Sequence, residues 1–148
     1  MIITDVDERE SVFHQFAPED LSDPPQSVPL TQITWLALTL YDSEAPDPTV
    51  SAAVLNSRAV VPLIVDGAVQ TTSPVTGLQF AYAQDPADGR WKASLVFLPA
   101  DMAITGECRS FPLYVAAYRI ETDEFAYTHE KGFRVKNLRQ IPSPPVTP

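Results

Sequence analysis

Residues 78–97, LQFAYAQDPADGRWKASLVF, decide the fold class. Leu78, Phe80 and Tyr82 alternate with Gln79 and Ala81; Trp91, Ala93, Leu95 and Phe97 alternate with Arg90, Lys92, Ser94 and Val96. Such alternation puts one set of side chains on each face of a pleated strand. Between the two runs lies Gln84-Asp85-Pro86-Ala87-Asp88-Gly89. Asp side chains bond nearby amides, Pro presets φ and Gly accepts positive φ, so this segment turns the chain. A hairpin with one apolar face needs a second layer to cover it. Trp91 is expected on the covered face, because Arg90 and Lys92 take the other.

The same pattern repeats on either side. In residues 32–41, Leu36, Leu38 and Leu40 share a face, and Trp35, Ala37 and Tyr41 take the opposite one. Short apolar runs follow at residues 50–55 and 59–65. Val65-Asp66-Gly67-Ala68 places Asp-Gly between apolar runs, a strong hairpin signal. Residues 99–103 read as a loop or a single helical turn, stopped by Gly106. Across residues 113–120, Tyr114, Ala116, Tyr118 and Ile120 oppose Leu113, Val115 and Ala117. After a turn at Glu121-Thr122-Asp123, Phe125 and Tyr127 share a face, and Phe133 and Val135 mark a last strand. About seven to nine short strands with regular turn signals predict an all-β, antiparallel β-sandwich. No amphipathic helix of about 12 residues separates any pair of strands, which argues against a doubly wound α/β fold.

The chain holds 15 Pro against 5 Gly in 148 residues. Proline breaks helix and sheet interiors, so its clusters partition the chain. Residues 18–29 and the tail, with Pro142, Pro144, Pro145 and Pro148, read as extended polyproline-like arms. Ahead of the first arm, residues 4–16 suit one short helix. Thr4 would be its N-cap, Asp7 and Glu8 would fill its first turn, and Val6, Phe13 and Phe16 would form its stripe. The expected organisation is helix and arm over 1–29, sandwich over 30–139 and tail over 140–148. Candidate contact residues on these extensions are Phe13, Phe16, Leu21, Pro24, Pro25, Ile141, Pro144 and Pro145.

Composition excludes several function classes. A chain of this mass buries about two-thirds of its unfolded surface, enough for a core without metals or disulfides. Lys plus Arg number 10 against 19 Asp plus Glu, a net charge of -9. Such a surface repels phosphate and anionic lipid, so neither nucleic acid nor membrane is an expected partner. No apolar run reaches the length of a spanning helix. The start, Met1-Ile2-Ile3-Thr4-Asp5, lacks the basic and apolar regions of a signal peptide. The single cysteine, Cys108, excludes an internal disulfide framework.

The run Asp88-Gly89-Arg90-Trp91, Gly106-Glu107, the long strand from Leu113 to Tyr118 and Gly132-Phe133-Arg134-Val135 together resemble immunoglobulin-like β-sandwich modules. The closest resemblance is to the small modules built into tailed-bacteriophage virions, at the neck, on the capsid or in baseplates and fibres. It covers about 50 residues of hairpin chemistry that many sandwiches share. It implies a virion component assembled in the bacterial host cytoplasm, packed on other virion proteins and repeated as a homo-oligomer. Antibody-type domains differ in having a cysteine pair beside their core Trp.

No motif for catalysis emerges. His14 and His129 lie far apart and in no ligand spacing, so packing or solvated roles are expected. Asp42, Glu44 and Asp47 read as an acidic turn stiffened by Pro46 and Pro48, since the calcium-loop pattern is absent. Cys108 has Arg109 to lower its pKa and Glu107 to oppose that, with no histidine close in sequence. No Gly-x-Ser-x-Gly elbow and no phosphate-cradling loop occurs. Trp35, Trp91, Tyr82, Tyr114, Tyr118 and Tyr127 are candidates for stacking on sugars, although strand alternation explains them as core. The sequence therefore points to a non-enzymatic structural or assembly protein without cofactor or metal, held by its sandwich and stiff arms. A carbohydrate- or receptor-binding module of a larger assembly is the alternative.

Overall fold

The computed structural model describes residues 1–43, 60–70, 78–104 and 111–136. Nine strands occur there: β1 (Ile2–Asp7), β2 (Val12–Phe16), β3 (Ile33–Asp42), β4 (Val61–Val65), β5 (Ala68–Val69), β6 (Gln79–Gln84), β7 (Trp91–Phe97), β8 (Leu113–Thr122) and β9 (Ala126–Lys136). They form a six-stranded sheet ordered β1-β9-β8-β3-β4-β5 and a three-stranded sheet ordered β2-β7-β6. The expected all-β sandwich is present. Its pairings are antiparallel except at one rim, where β1 runs parallel to β9 from Ile2↔Lys131 to Asp7↔Lys136.

The core is made by the faces that alternation selects. Leu36, Leu38 and Leu40 of β3 and Tyr114, Ala116, Tyr118 and Ile120 of β8 are buried, as are Phe80 and Tyr82 of β6 and Ala93, Leu95 and Phe97 of β7. Each large apolar side chain sealed in this way stabilises the fold by about 1.5–3 kcal/mol. Phe97 meets Phe133 of β9 edge-on, with ring centroids 5.3 Å apart, and joins the two layers at their centre. Trp91 is only partly buried; its indole lies nearly parallel to the Tyr82 ring, 5.9 Å away.

The turns obey their local chemistry. Asp66 and Gly67 both have positive φ, 49° and 78°, between the pairs Ile64↔Val69 and Val65↔Ala68. Two positive φ values in a two-residue loop match the right-handed twist of the strands. A Cβ on Gly67 would meet nothing closer than the Ile33 carbonyl oxygen at 3.9 Å, so only the backbone conformation demands glycine. Gly67→Ala is therefore expected to cost about 1 kcal/mol, read as a lower urea midpoint with unchanged slope. In the β6–β7 turn, Lys92 Nζ binds Asp85 Oδ2 at 2.7 Å and Asp88 Oδ2 at 2.8 Å. Both carboxyls are held below their ordinary pKa, mainly by that side-chain bond.

The structure overturns the helix expected over residues 4–16. That stretch forms two strands, β1 and β2, in different sheets. A helix so short is marginal alone. Ile2, Ile3, Thr4, Val6, Val12, Phe13 and Phe16 are β-branched or aromatic and suit strands better. The exposed sides of β9 and β7 offer each half a full backbone ladder. The break falls at Arg9, with φ 61°, where Asp7 N–H donates to Glu10 Oε2 at 2.8 Å and Glu10 N–H donates to the Asp7 carbonyl at 3.1 Å.

The first proline cluster is a closed loop in place of the extended arm. Asp20 N–H donates to the Gln26 carbonyl at 2.8 Å, and Val28 N–H to the Pro18 carbonyl at 2.9 Å. Asp20 Oδ1 accepts from the amides of Ser22 and Gln26, both at 3.0 Å. The loop is pinned to the body by the Tyr82 hydroxyl donating to the Val28 carbonyl and by Trp91 N–H donating to Ser27 Oγ at 2.9 Å. The apolar run at 50–55, Glu44, Asp47, Cys108 and the tail residues Ile141, Pro142, Pro144, Pro145 and Pro148 lie outside the described residues.

Candidate interaction site

Strand alternation on β9 gathers an unexpected set of side chains. Tyr127, His129, Lys131, Phe133 and Val135 share the inward face, while Ala126, Thr128 and Glu130 point out. On β2, Val12, His14 and Phe16 point in, while Phe13 and Gln15 point out. The register of β8 sets Tyr118 opposite His129. The two sheets therefore meet at this end through aromatic rings. The His129 ring stacks on Phe16 at 4.3 Å and on His14 at 5.9 Å, each with an interplanar angle of 12°. Tyr118 packs against Phe16 at 4.6 Å, and its hydroxyl lies 2.9 Å from His14 Nδ1.

The rings form the floor of a groove of about 700 Å³, lined by Met1, Ile2, His14, Gln15, Phe16 and residues 128–131. His14 is 9 % exposed. Burial, and secondarily the nearby His129 and Lys131, lowers its pKa to about 4. His129 is lowered too, mainly by burial and then by the Lys131 charge. Burial lowers Lys131 and raises the Tyr118 hydroxyl. Both imidazoles are therefore neutral near pH 7. The Lys131 ammonium donates to Thr4 Oγ1 and lies 5.9 Å from the Phe133 ring centroid. Among the described residues it makes no ion pair, and no group of three or more metal-ligating side chains occurs. No helix there is long and apolar enough to cross a membrane.

The groove opens at the rim where β1 and β2 end their sheets. Each strand has one side without a strand partner among the described residues. Exposed apolar side chains cluster along them: Ile2 at 74 %, Ile3 at 46 % and Phe13 at 62 %. Free N–H and C=O groups flanked by apolar side chains are the features that add a strand from another chain.

Of the sequence candidates, Phe13 lies on the outer face of β2 and Phe16 in the ring cluster. Leu21, 84 % exposed, and Pro24 and Pro25 are exposed in the proline loop. The structure does not bring that loop to the groove. The packing role expected for His14 and His129 is present, but sequence reasoning did not bring the two together and did not single out Lys131. Their signal was parity: His129 and Lys131 occupy the same alternate positions as Phe133 and Val135.

A second depression, of about 600 Å³, is lined by Glu19, Gln26, Ser27, Gln84, Arg90 and Trp91, among others. Arg90 and Glu19 are paired across it at 2.7 Å. A sugar platform calls for an exposed coplanar ring pair, whereas Trp91 has buried Tyr82 as its stacked partner and offers a single ring. A 2.7 Å exposed ion pair contributes little by itself.

No family model and no curated protein matches the chain. A solved structure described as the inferred receptor binding domain of the human endogenous retrovirus envelope EnvP(b)1 is similar in chain course. It is 10 % identical, with 100 % of this chain and 98 % of that chain covered and a TM-score of 0.40. At that level the likeness carries no argument about function.

Proposed function

We propose that this chain is a non-enzymatic assembly module that holds a neighbouring protein through the rim formed by β1 and β2. The observation that carries the reading is the coincidence of two unpartnered strand edges with exposed Ile2, Ile3 and Phe13. A natural sheet protects its edges with charge, proline or bulges. The outward side chains of β2 are Phe13 and Gln15, neither charged, whereas β1 carries exposed Asp5 and Asp7 after Ile2 and Ile3, so the unprotected edge is that of β2. The resemblance of residues 88–135 to virion sandwich modules supplies the setting, a phage particle in which several copies pack on other structural proteins. The surface charge of -9 keeps free copies apart until that assembly forms.

The test is incorporation into the native particle. Phe13→Asp alters an exposed side chain and is expected to leave the fold intact. Burying the new charge at the rim is expected to lower incorporation about tenfold. Hydrogen exchange is expected to slow at β2 amides in the particle relative to the free chain. Normal incorporation of Phe13→Asp, together with unchanged exchange at β1 and β2, would remove the rim from consideration.

A further inference from the structure

The inward face of a sandwich strand is normally apolar. On β9 that face carries His129 and Lys131 between Tyr127 and Phe133, and β2 adds His14 opposite them. Three basic side chains thus converge on one groove end, while the acidic side chain lining it, Glu130, belongs to the outward set. Met1 with its amino group, Ile2, Gln15 and Thr128 also line the groove, with Thr4 and Tyr118 behind Lys131 and His14, and Glu130 is the one acid among the lining residues.

We propose that this groove is a carboxylate-binding site, which receives an Asp or Glu side chain from an extended segment of a partner protein laid along the free edge of β2. The proposal rests on reading the β1/β2 rim as a docking surface, and it names what docks. Lys131 Nζ would bind the carboxylate, with His129 as a second donor once protonated. Phe16 and the His129 ring would cover the methylene stem. Charge-assisted bonds of this kind are the strong ones in a partly dry groove. Burial is the main cause of the lowered pKa of His14 and His129 and the cause of that of Lys131; mutual repulsion among the bases adds to it at both imidazoles, and Glu130 partly offsets it at His129. The protein's overall acidity slows the approach of such a ligand, but at the groove itself charges beyond a Debye length of about 8 Å are screened at physiological salt and the local bases decide. The flanking residues of the partner are expected to be apolar, since Ile2 and Phe13 border the groove and the β2 edge.

The probe is a blocked pentapeptide, acetyl-Thr-Val-Glu-Val-Thr-amide, titrated into the full chain and followed by NMR. The control replaces its central Glu by Gln. The Glu peptide is expected to bind about tenfold more tightly than the Gln peptide, the difference one charged hydrogen bond supplies. It is expected to perturb β2 amides and to raise the His129 pKa. Lys131→Met is expected to abolish the preference, and His129→Phe, which keeps the ring stack, to reduce it. Equal affinity of the two peptides, or a preference that survives Lys131→Met, overturns the carboxylate site and leaves rim docking standing. Absence of binding by either peptide also overturns it, and normal incorporation of Phe13→Asp would then remove the rim reading as well.

Discussion

Phe133→Ala is expected to lower the free energy of unfolding by about 4 kcal/mol, within the range for deleting a buried aromatic ring. Phe133 is 1 % exposed and belongs to the set of largest fully buried side chains. Its ring meets Phe97 edge-on from the opposite sheet at 5.3 Å and His14 at 6.2 Å with an 87° angle. Phe97 is itself fully buried, and a close-packed interior relaxes only partially around a deleted ring. The cavity would therefore persist, and the penalty would combine lost transfer energy with lost contacts. Phe133→Leu retains much of the volume and is expected to cost about 1 kcal/mol. Urea unfolding of the two variants checks both values. A loss below about 1 kcal/mol for Phe133→Ala would mean that the layers close around the gap, contrary to central packing.

The effect would extend to the groove. Lys131 lies over the Phe133 ring, and His14 stands edge-on to it. Removing that ring frees both side chains to move, so the rim and the core are coupled through one residue. A variant that folds with a loosened groove would separate binding from stability.

The sandwich was legible because alternation on β6 and β7 is clean, and on β3 and β8 the large residues Leu36, Leu38, Leu40, Tyr114, Tyr118 and Ile120 keep one parity although Ala37 and Val115 are buried too. The Asp66-Gly67 hairpin was legible because few residues tolerate two positive φ values in succession. Residues 4–16 misled for a physical reason. Thr4, Asp7 and Glu8 carry helix-start chemistry worth about 1 kcal/mol at most, whereas two long ladders and the burial of Val6 and Val12 outweigh it. Local capping signals cannot report that β9 and β7 present open edges. The proline loop misled similarly, because proline content predicts stiffness and says nothing about the Asp20 carboxylate closing the turn. The groove was the least legible feature. His14 and His129 are 115 positions apart in the chain, and their meeting depends on strand order, which no local pattern contains.

Acid is expected to weaken the fold well before its carboxylates titrate. His14 has a pKa of about 4 in the folded chain and 6.5 as its ordinary value. Between those limits the unfolded chain takes up a proton that the folded chain refuses. Stability is therefore full above about pH 6.5, falls as pH drops toward about 4, and loses nothing more from this group below that. His129 shifts in the same direction and deepens the fall. A shift of this size corresponds to about 3 kcal/mol for a sealed ring, and hydration at the groove mouth reduces the expectation to about 2 kcal/mol. Asp20, Asp85 and Asp88 have lowered pKa values, so their contribution is lost only at still lower pH. Tyr118 is raised and stays protonated throughout. Urea midpoints measured from about pH 7.5 to about pH 4.5 would trace the fall. His14→Gln keeps a hydrogen-bonding partner for the Tyr118 hydroxyl and removes the titrating ring, so its curve is expected to flatten in that window. A wild-type slope in His14→Gln would show that His14 is hydrated in the folded chain. A bound carboxylate works in the opposite direction: by favouring the charged rings it raises their pKa, so an acidic partner would protect the rim against the acid that loosens the free chain.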